Sequence, residues 1–246
     1  MIPVISVIIA TYNAAKTLRC CLESIVKQKN EYIELLVIDG GSSDGTQDIL
    51  DEYRSQINLI ISEPDNGIYD AWNKGIVHAR GEWILFIGAD DTLESDAFFN
   101  YLKFLNTQDT TKVDYICAKN TYLGRDGNVI KIMGIPWLWE QFRQKMDVAH
   151  VASLHHRDLF QENGMFDLRF PICGDYELLL RKRNKLRCLF LDTCIARMTT
   201  GGASFTMLAL WEAHQIRKLH SGYSTLTLIA IYIWQIILFQ RHKLLN

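Results

Sequence analysis

No GxGxxG, no GK[ST] and no HExxH sequence occurs anywhere in the 246 residues. The first two absences remove the main support for a dinucleotide-dependent oxidoreductase and for a P-loop nucleotide site. The third, together with seven histidines that fall in no ligand spacing with nearby acids, argues against a His/Cys metal centre. Six cysteines (Cys20, Cys21, Cys117, Cys173, Cys188 and Cys194) include no CxxC pair. That pattern fits reduced, partly buried thiols, with neither a zinc cluster nor a disulfide framework. Charge of one sign is also lacking: 26 Lys and Arg against 28 Asp and Glu leave a net −2. No general positive field is available to hold nucleic acid. The N-terminus has no basic start and no small-residue cleavage site, so the body of the chain is expected in the cytoplasm.

What is present is a globular composition, 48% hydrophobic and 22% charged, in a length that suits one sizeable domain. Neither an internal repeat nor a long linker divides it. The apolar, β-branched run of residues 4–10 reads as a strand covered on both faces. Leu18, Cys21, Leu22, Ile25 and Val26 then recur on one helical face, and residues 33–38 give a second buried strand. Ser43 and Asp44 can cap a helix reaching about Tyr53, residues 57–61 suit a third strand, and residues 70–79 a further helix. Trp83 to Ile87 closes the series as a fourth strand. This alternation predicts an open α/β sheet with right-handed crossovers. Beyond residue 91 the pattern weakens to a helix over 95–105, a hairpin of 115–123 with 129–133 turning at Asp126-Gly127, and a helix over 175–183.

Ligands of such sheets sit beyond the carboxyl ends of the strands. Those ends carry Thr11-Tyr12-Asn13, Asp39-Gly40-Gly41, Glu63-Pro64-Asp65 and Asp90-Asp91, so acid gathers there. Adjacent carboxylates repel unless a cation joins them, and Mg²⁺ or Mn²⁺ takes one or two carboxylates and completes its shell with water and phosphate oxygens. The alternative is that Asp90 and Asp91 cap the following helix.

Five stretches in order carry a resemblance: residues 6–13 (SVIIATYN), 37–46 (VIDGGSSDGT), 63–75 (EPDNGIYDAWNKG), 79–91 (ARGEWILFIGADD) and 173–181 (CGDYELLLR). Together they resemble the inverting nucleotide-sugar glycosyltransferases of family 2. The resemblance implies the A-type fold, an open and mostly parallel Rossmann-like sheet with helices on both faces, followed here by a C-terminal helical region. It implies a catalytic domain over 1–204, with a nucleotide-binding half (1–91) and an acceptor half (92–204), and a helical extension over 205–246. The implied activity is transfer of a sugar from a nucleotide diphosphate donor to a glycan or lipid-linked glycan acceptor in surface polysaccharide synthesis, assisted by Mg²⁺ or Mn²⁺.

By the same resemblance Thr11, Tyr12 and Asp39 hold the base and ribose, with Asp39 accepting a pyrimidine imide N–H, which favours a UDP-sugar. The alternative for Asp39 is a turn aspartate closing onto Gly40-Gly41. Asp90 and Asp91 correspond to metal and ribose carboxylates. The fuller family pattern is Asp-x-Asp-Asp, and its first Asp is Gly88 here, so either carboxylate is a candidate for the ion. Asp175 matches the general base, with first-turn helix stabilisation as the other reading. Asp70 and Asn73 fall where donor phosphates or sugar are contacted, although a helix start explains them equally. His150 matches an acceptor-region histidine, against an ordinary core histidine. Gly201-Gly202-Ala203-Ser204 resembles a loop that follows the base helix.

The most apolar stretch, residues 226–239, reaches only about 21 Å as a helix, short of the roughly 30 Å hydrocarbon core. It is expected to lie on a membrane surface, or to pack on the domain or a second subunit. Residues 201–246 hold Arg217, Lys218, Arg241 and Lys243 against Glu212 alone, a local excess of positive charge. Two other functions remain open on sequence: a non-catalytic nucleotide-sugar-binding scaffold and, less well supported, an oxidoreductase.

Overall fold

The computed structural model describes residues 2–124, 126–199 and 205–245, with side chains through residue 241. The expected Gly201-Gly202-Ala203-Ser204 loop, and with it the boundary at 204/205, lies outside the described residues.

Over the first 90 residues β1 (Ile5–Thr11), α1 (Leu18–Val26), β2 (Ile33–Asp39), α2 (Thr46–Glu52), β3 (Leu59–Ser62), α3 (Ile68–His78) and β4 (Trp83–Gly88) alternate. The strands pair in parallel in the order β3-β2-β1-β4. Every residue of β1, β2 and β4 is buried, because helices cover both faces and no side is left to solvent. Ile5, Val7 and Ile9 pack with Leu18, Cys21, Leu22 and Ile25 of α1. Ile8 and Ala10 point the other way, onto Tyr69, Ala71 and Trp72 of α3. Helix α2 starts from Gly45 in the left-handed region (φ 97°), and Asp44 serves the same turn by accepting the Thr46 N–H at 3.1 Å.

The second half comprises β5 (Thr92–Leu93), α4 (Ala97–Thr107), β6 (Tyr115–Leu123), β7 (Val129–Met133), α5 (Trp139–Phe142), β8 (Ala149–His156), α6 (Arg157–Asn163), α7 (Gly174–Arg181), β9 (Cys188–Thr199), α8 (Met207–His220) and α9 (Thr225–Leu245). It extends the same sheet through β8-β6-β9-β5, with β7 as the hairpin partner of β6. Here the pairings are antiparallel except β6 with β9. A third apolar cluster joins β6 to α7 and α8 through Tyr115, Tyr176, Leu179 and Ile216. The start of α7 is fixed from α8: Glu212, almost fully buried, accepts the N–H groups of Ile172 and Cys173 at 3.0 and 2.9 Å.

Candidate active site

The carboxyl ends of β1, β2 and β4 lie level, with Thr11 opposite Asp39 and Ala10 opposite Gly88. Beyond them opens a cavity of about 910 Å³, walled by Thr11, Tyr12, Gly40, Asp65, Ile68 and Asp90 among others. That volume lies within the range of small-molecule sites. Thr11 is buried and its hydroxyl has no hydrogen-bond partner among the described residues, while Tyr12 is 65% exposed.

The loops that follow β1 and β2 are stitched together. Asn13, held at φ 48°, donates its N–H to Ser42 Oγ at 2.8 Å and accepts the Ser43 N–H on Oδ1 at 2.9 Å. Asp39 anchors the second loop. Its Oδ2 accepts from Gly41 N (3.1 Å), Ser42 N (3.0 Å), Gln47 Nε2 (2.5 Å) and Ser62 Oγ (2.7 Å), and its Oδ1 from Ser42 Oγ. The carboxylate is wholly buried and does not line the cavity. The turn reading thus accounts for its bonds here, while Oδ1, which accepts from Ser42 Oγ alone among the described residues, keeps a lone pair for the expected imide N–H.

Asp90 is exposed on the cavity wall and Asp91 is buried behind it, accepting the Gly88 N–H at 3.3 Å. A Cβ at Gly88 would stand 2.8 Å from Asp90 Oδ1 and 3.1 Å from Asp91 Oδ2. The two carboxylates therefore converge on one point, next to the residue where the fuller pattern has another acid. Burial, and after it the charge of Asp90, pushes the Asp91 carboxyl up to about 8. Such a pair calls for a proton or a cation between its members. Among the described residues no cluster of three or more His, Cys, Asp or Glu side chains forms a ready-made metal cage. One carboxylate on the cavity wall with a second directly behind it nevertheless fits a hard divalent ion whose remaining ligands are water and phosphate oxygens.

Asp175 lies in the first turn of α7, half-buried. Its Oδ1 accepts from Tyr69 Oη at 3.0 Å and from Tyr176 N at 2.8 Å. Tyr69 belongs to α3, between Ile68 and Ala71, which both line the cavity. Burial first, and the Asp175 charge next, raise the Tyr69 phenol well above its ordinary value, so it stays a donor. Gly174 is required at this contact, since a Cβ there would sit 2.9 Å from the Tyr69 ring. Burial, then the charges of Asp91 and Asp175, raise the Tyr122 phenol on β6. His150 on β8 is buried against the rings of Trp72 and Phe86, its Nε2 without a partner among the described residues. Burial lowers its basicity, against an opposing pull from Asp175.

Two further candidates serve the scaffold. Asp70 Oδ2 accepts from both nitrogens of Asn66, at 2.9 and 3.0 Å, closing the turn into α3. The Asn73 amide donates to Phe166 O (2.9 Å) and accepts from Phe166 N (3.0 Å), a two-way clamp across 93 residues. Neither residue is among those that wall the cavity, and these bonds fit the helix-start reading of both. Thr11, Tyr12 and Asp90 are gathered on the cavity wall; Asp91 stands behind it, and Asp175 and His150 border it through α3. Asp65, at one of the expected acidic strand ends, also lines the cavity. Tyr69 was not among the expected site residues: it sits inside the 63–75 stretch, where a buried helical tyrosine reads as core.

The profile described as Glycosyl transferase family 2 matches residues 6–162, and the chain belongs to that family. A PGL/p-HBAD biosynthesis glycosyltransferase of Mycobacterium bovis (strain BCG / Pasteur 1173P2) is 32% identical over 185 residues, covering 73% of this chain and 69% of the mycobacterial one. S. aureus TarS shares the fold at a TM-score of 0.68 and 20% identity; the match covers 93% of this chain but only 42% of TarS. Its 1–349 portion, solved with UDP, gives 0.67 at 20% identity, covering 93% and 69%. The mannosyltransferase PcManGT of Pyrobaculum calidifontis, solved with GDP-Man and Mn²⁺, gives 0.64 at 17% identity, covering 94% of this chain and 68% of that one. The sheet is thus that of the A-type glycosyltransferases, and the chain is a transferase, which sets aside the oxidoreductase and the scaffold.

Proposed function

We propose that this chain is an inverting, cation-assisted glycosyltransferase that moves a sugar from a UDP-sugar to a hydroxyl of a glycan or lipid-linked glycan in surface polysaccharide synthesis. One observation carries the reading: the helix that walls the cavity beside Asp90 also holds Asp175, through Tyr69. The UDP complex of a protein with this fold supports the donor class.

Thr11, Tyr12 and the Gly40-Gly41 backbone receive the nucleoside, and Asp39 keeps that loop in shape. Asp90 and Asp91 hold Mg²⁺ or Mn²⁺, which when bound offsets the charge that grows on the departing diphosphate. The two hydrogen bonds to Asp175 Oδ1 fix its rotamer and leave Oδ2 for the acceptor. Asp175 takes the hydroxyl proton while that oxygen bonds to the anomeric carbon. The bond from that carbon to the diphosphate oxygen breaks on the opposite face, and the centre inverts. His150, neutral in its aromatic setting, borders the acceptor side.

Asp175→Asn keeps the shape of the side chain and removes the base. UDP binding by calorimetry is expected to remain and turnover to fall by a factor of about 10²–10⁴, the usual worth of a general base. Undiminished turnover in that variant removes Asp175 from the mechanism.

A further inference from the structure

Helix α9 packs on α8 through one side that carries buried Leu228 together with Tyr232, Gln235 and Phe239. Arg217 of α8, almost fully buried, donates to Gln235 Oε1 at 2.7 Å and to Gln144 O at 3.2 Å, and Tyr232 and Phe239 lie against His214 and Phe205. The opposite side is exposed. Leu226 (81% exposed), Ile229, Ile233, Trp234 (60%), Ile237 and Leu238 recur at helical spacing. They form one apolar stripe about 18 Å long, ended by exposed Arg241. No helix among the described residues is long and apolar enough to cross a membrane.

The charges around this face decide what covers it. Glu212 is the sole acid of residues 205–246, and it is buried against the start of α7. Among the described side chains of α8 and α9 the exposed charges are those of Lys218 and Arg241, both positive. A second copy meeting this stripe through its own α8 and α9 would bring cations and no exposed acid to the contact. An anionic phospholipid surface offers an apolar layer for the stripe and phosphates for the cations.

We infer that the outer face of α9 lies in the interfacial layer of an anionic phospholipid membrane, with Lys218 and Arg241 on headgroup phosphates. This does not depend on the role of Asp175.

The test is flotation of the full chain with vesicles of phosphatidylcholine alone or with about a third phosphatidylglycerol. Recovery is expected on the anionic vesicles only, with partition falling about fivefold for each of Lys218→Gln and Arg241→Gln as its attraction is lost, and falling as salt rises. Ile233→Asp with Trp234→Asp should abolish it. The milder Trp234→Gln should reduce it while far-UV circular dichroism and UDP binding stay as in the parent. No recovery on anionic vesicles overturns the inference, as does equal recovery on neutral ones. A vesicle-free dimer in sedimentation velocity that the double aspartate variant dissociates also overturns it, because a second copy then owns the face.

Discussion

Asp39→Ala separates a loop anchor from a ligand contact. The substitution strands five donors. The hydroxyls of Ser42 and Ser62 and the amide of Gln47 can turn elsewhere, but the N–H groups of Gly41 and Ser42 cannot. Gly41 is exposed and Ser42 half-buried, so water can reach these N–H groups and each lost bond costs about 1 kcal/mol, about 2 kcal/mol for the pair. For a chain of this length each kcal/mol moves the melting temperature by about 2–4 °C, giving a drop of roughly 4–8 °C. Asp39→Asn retains an oxygen for those two N–H groups and turns its NH₂ toward Ser42 Oγ, which can accept. It forfeits charge assistance only, about 1 kcal/mol. UDP affinity should follow the same order, because Gly40 and Gly41 line the cavity. Scanning calorimetry and UDP titration on both variants give the answer. An alanine variant that melts with the parent yet no longer binds UDP would refute the reasoning, since the carboxylate would then serve the ligand and not the loop.

Tyr69→Phe removes the hydroxyl from Asp175 and from Ile172 O and should lower kcat about tenfold with KM for the donor unchanged, as loss of a hydrogen bond to a charged group implies; an equal rise in KM would mark a general packing defect. Asp90→Asn with Asp91→Asn should abolish the Mn²⁺ dependence of UDP binding in calorimetry, and an unchanged dependence refutes the carboxylate pair as the ion's anchor. Burial would push the Asp114 carboxyl up, but bonds from Arg187 and the nearby Lys182 outweigh it and hold the group at about 2. The folded value lies below the unfolded one, so the stabilisation is complete above about pH 4 and disappears as pH falls toward 2, about 2 kcal/mol in all. Urea midpoints across that window should fall for the parent and stay flatter for Asp114→Asn.

The first half of the fold was legible because β1, β2 and β4 are buried on both faces and so read as unbroken apolar runs. The hairpin was legible from Asp126-Gly127 alone. Strand β8 was not: His150, Ser153, His155 and His156 interrupt its apolar pattern, although the first three are buried. Strand β9 carries register shifts against β6 that blur its alternation. At the site, sequence located the acidic strand ends but not the direction of each carboxylate. Asp39 turns into its own loop, and Asn73 finds Phe166 far along the chain. The Tyr69 bond to Asp175 spans 106 residues, and only folding brings the two together.

That bond also restricts how the enzyme can be recombined. A chimera that takes its acceptor-side half from a relative inherits a new aspartate but keeps the old α3 as its handle. Grafts that carry a tyrosine at 69 together with a glycine at 174 should remain productive, and grafts that exchange one of the pair should fold around a misaimed Asp175. The two halves of the molecule would then evolve as linked parts, with acceptor choice free to drift only where it leaves this one phenol in place.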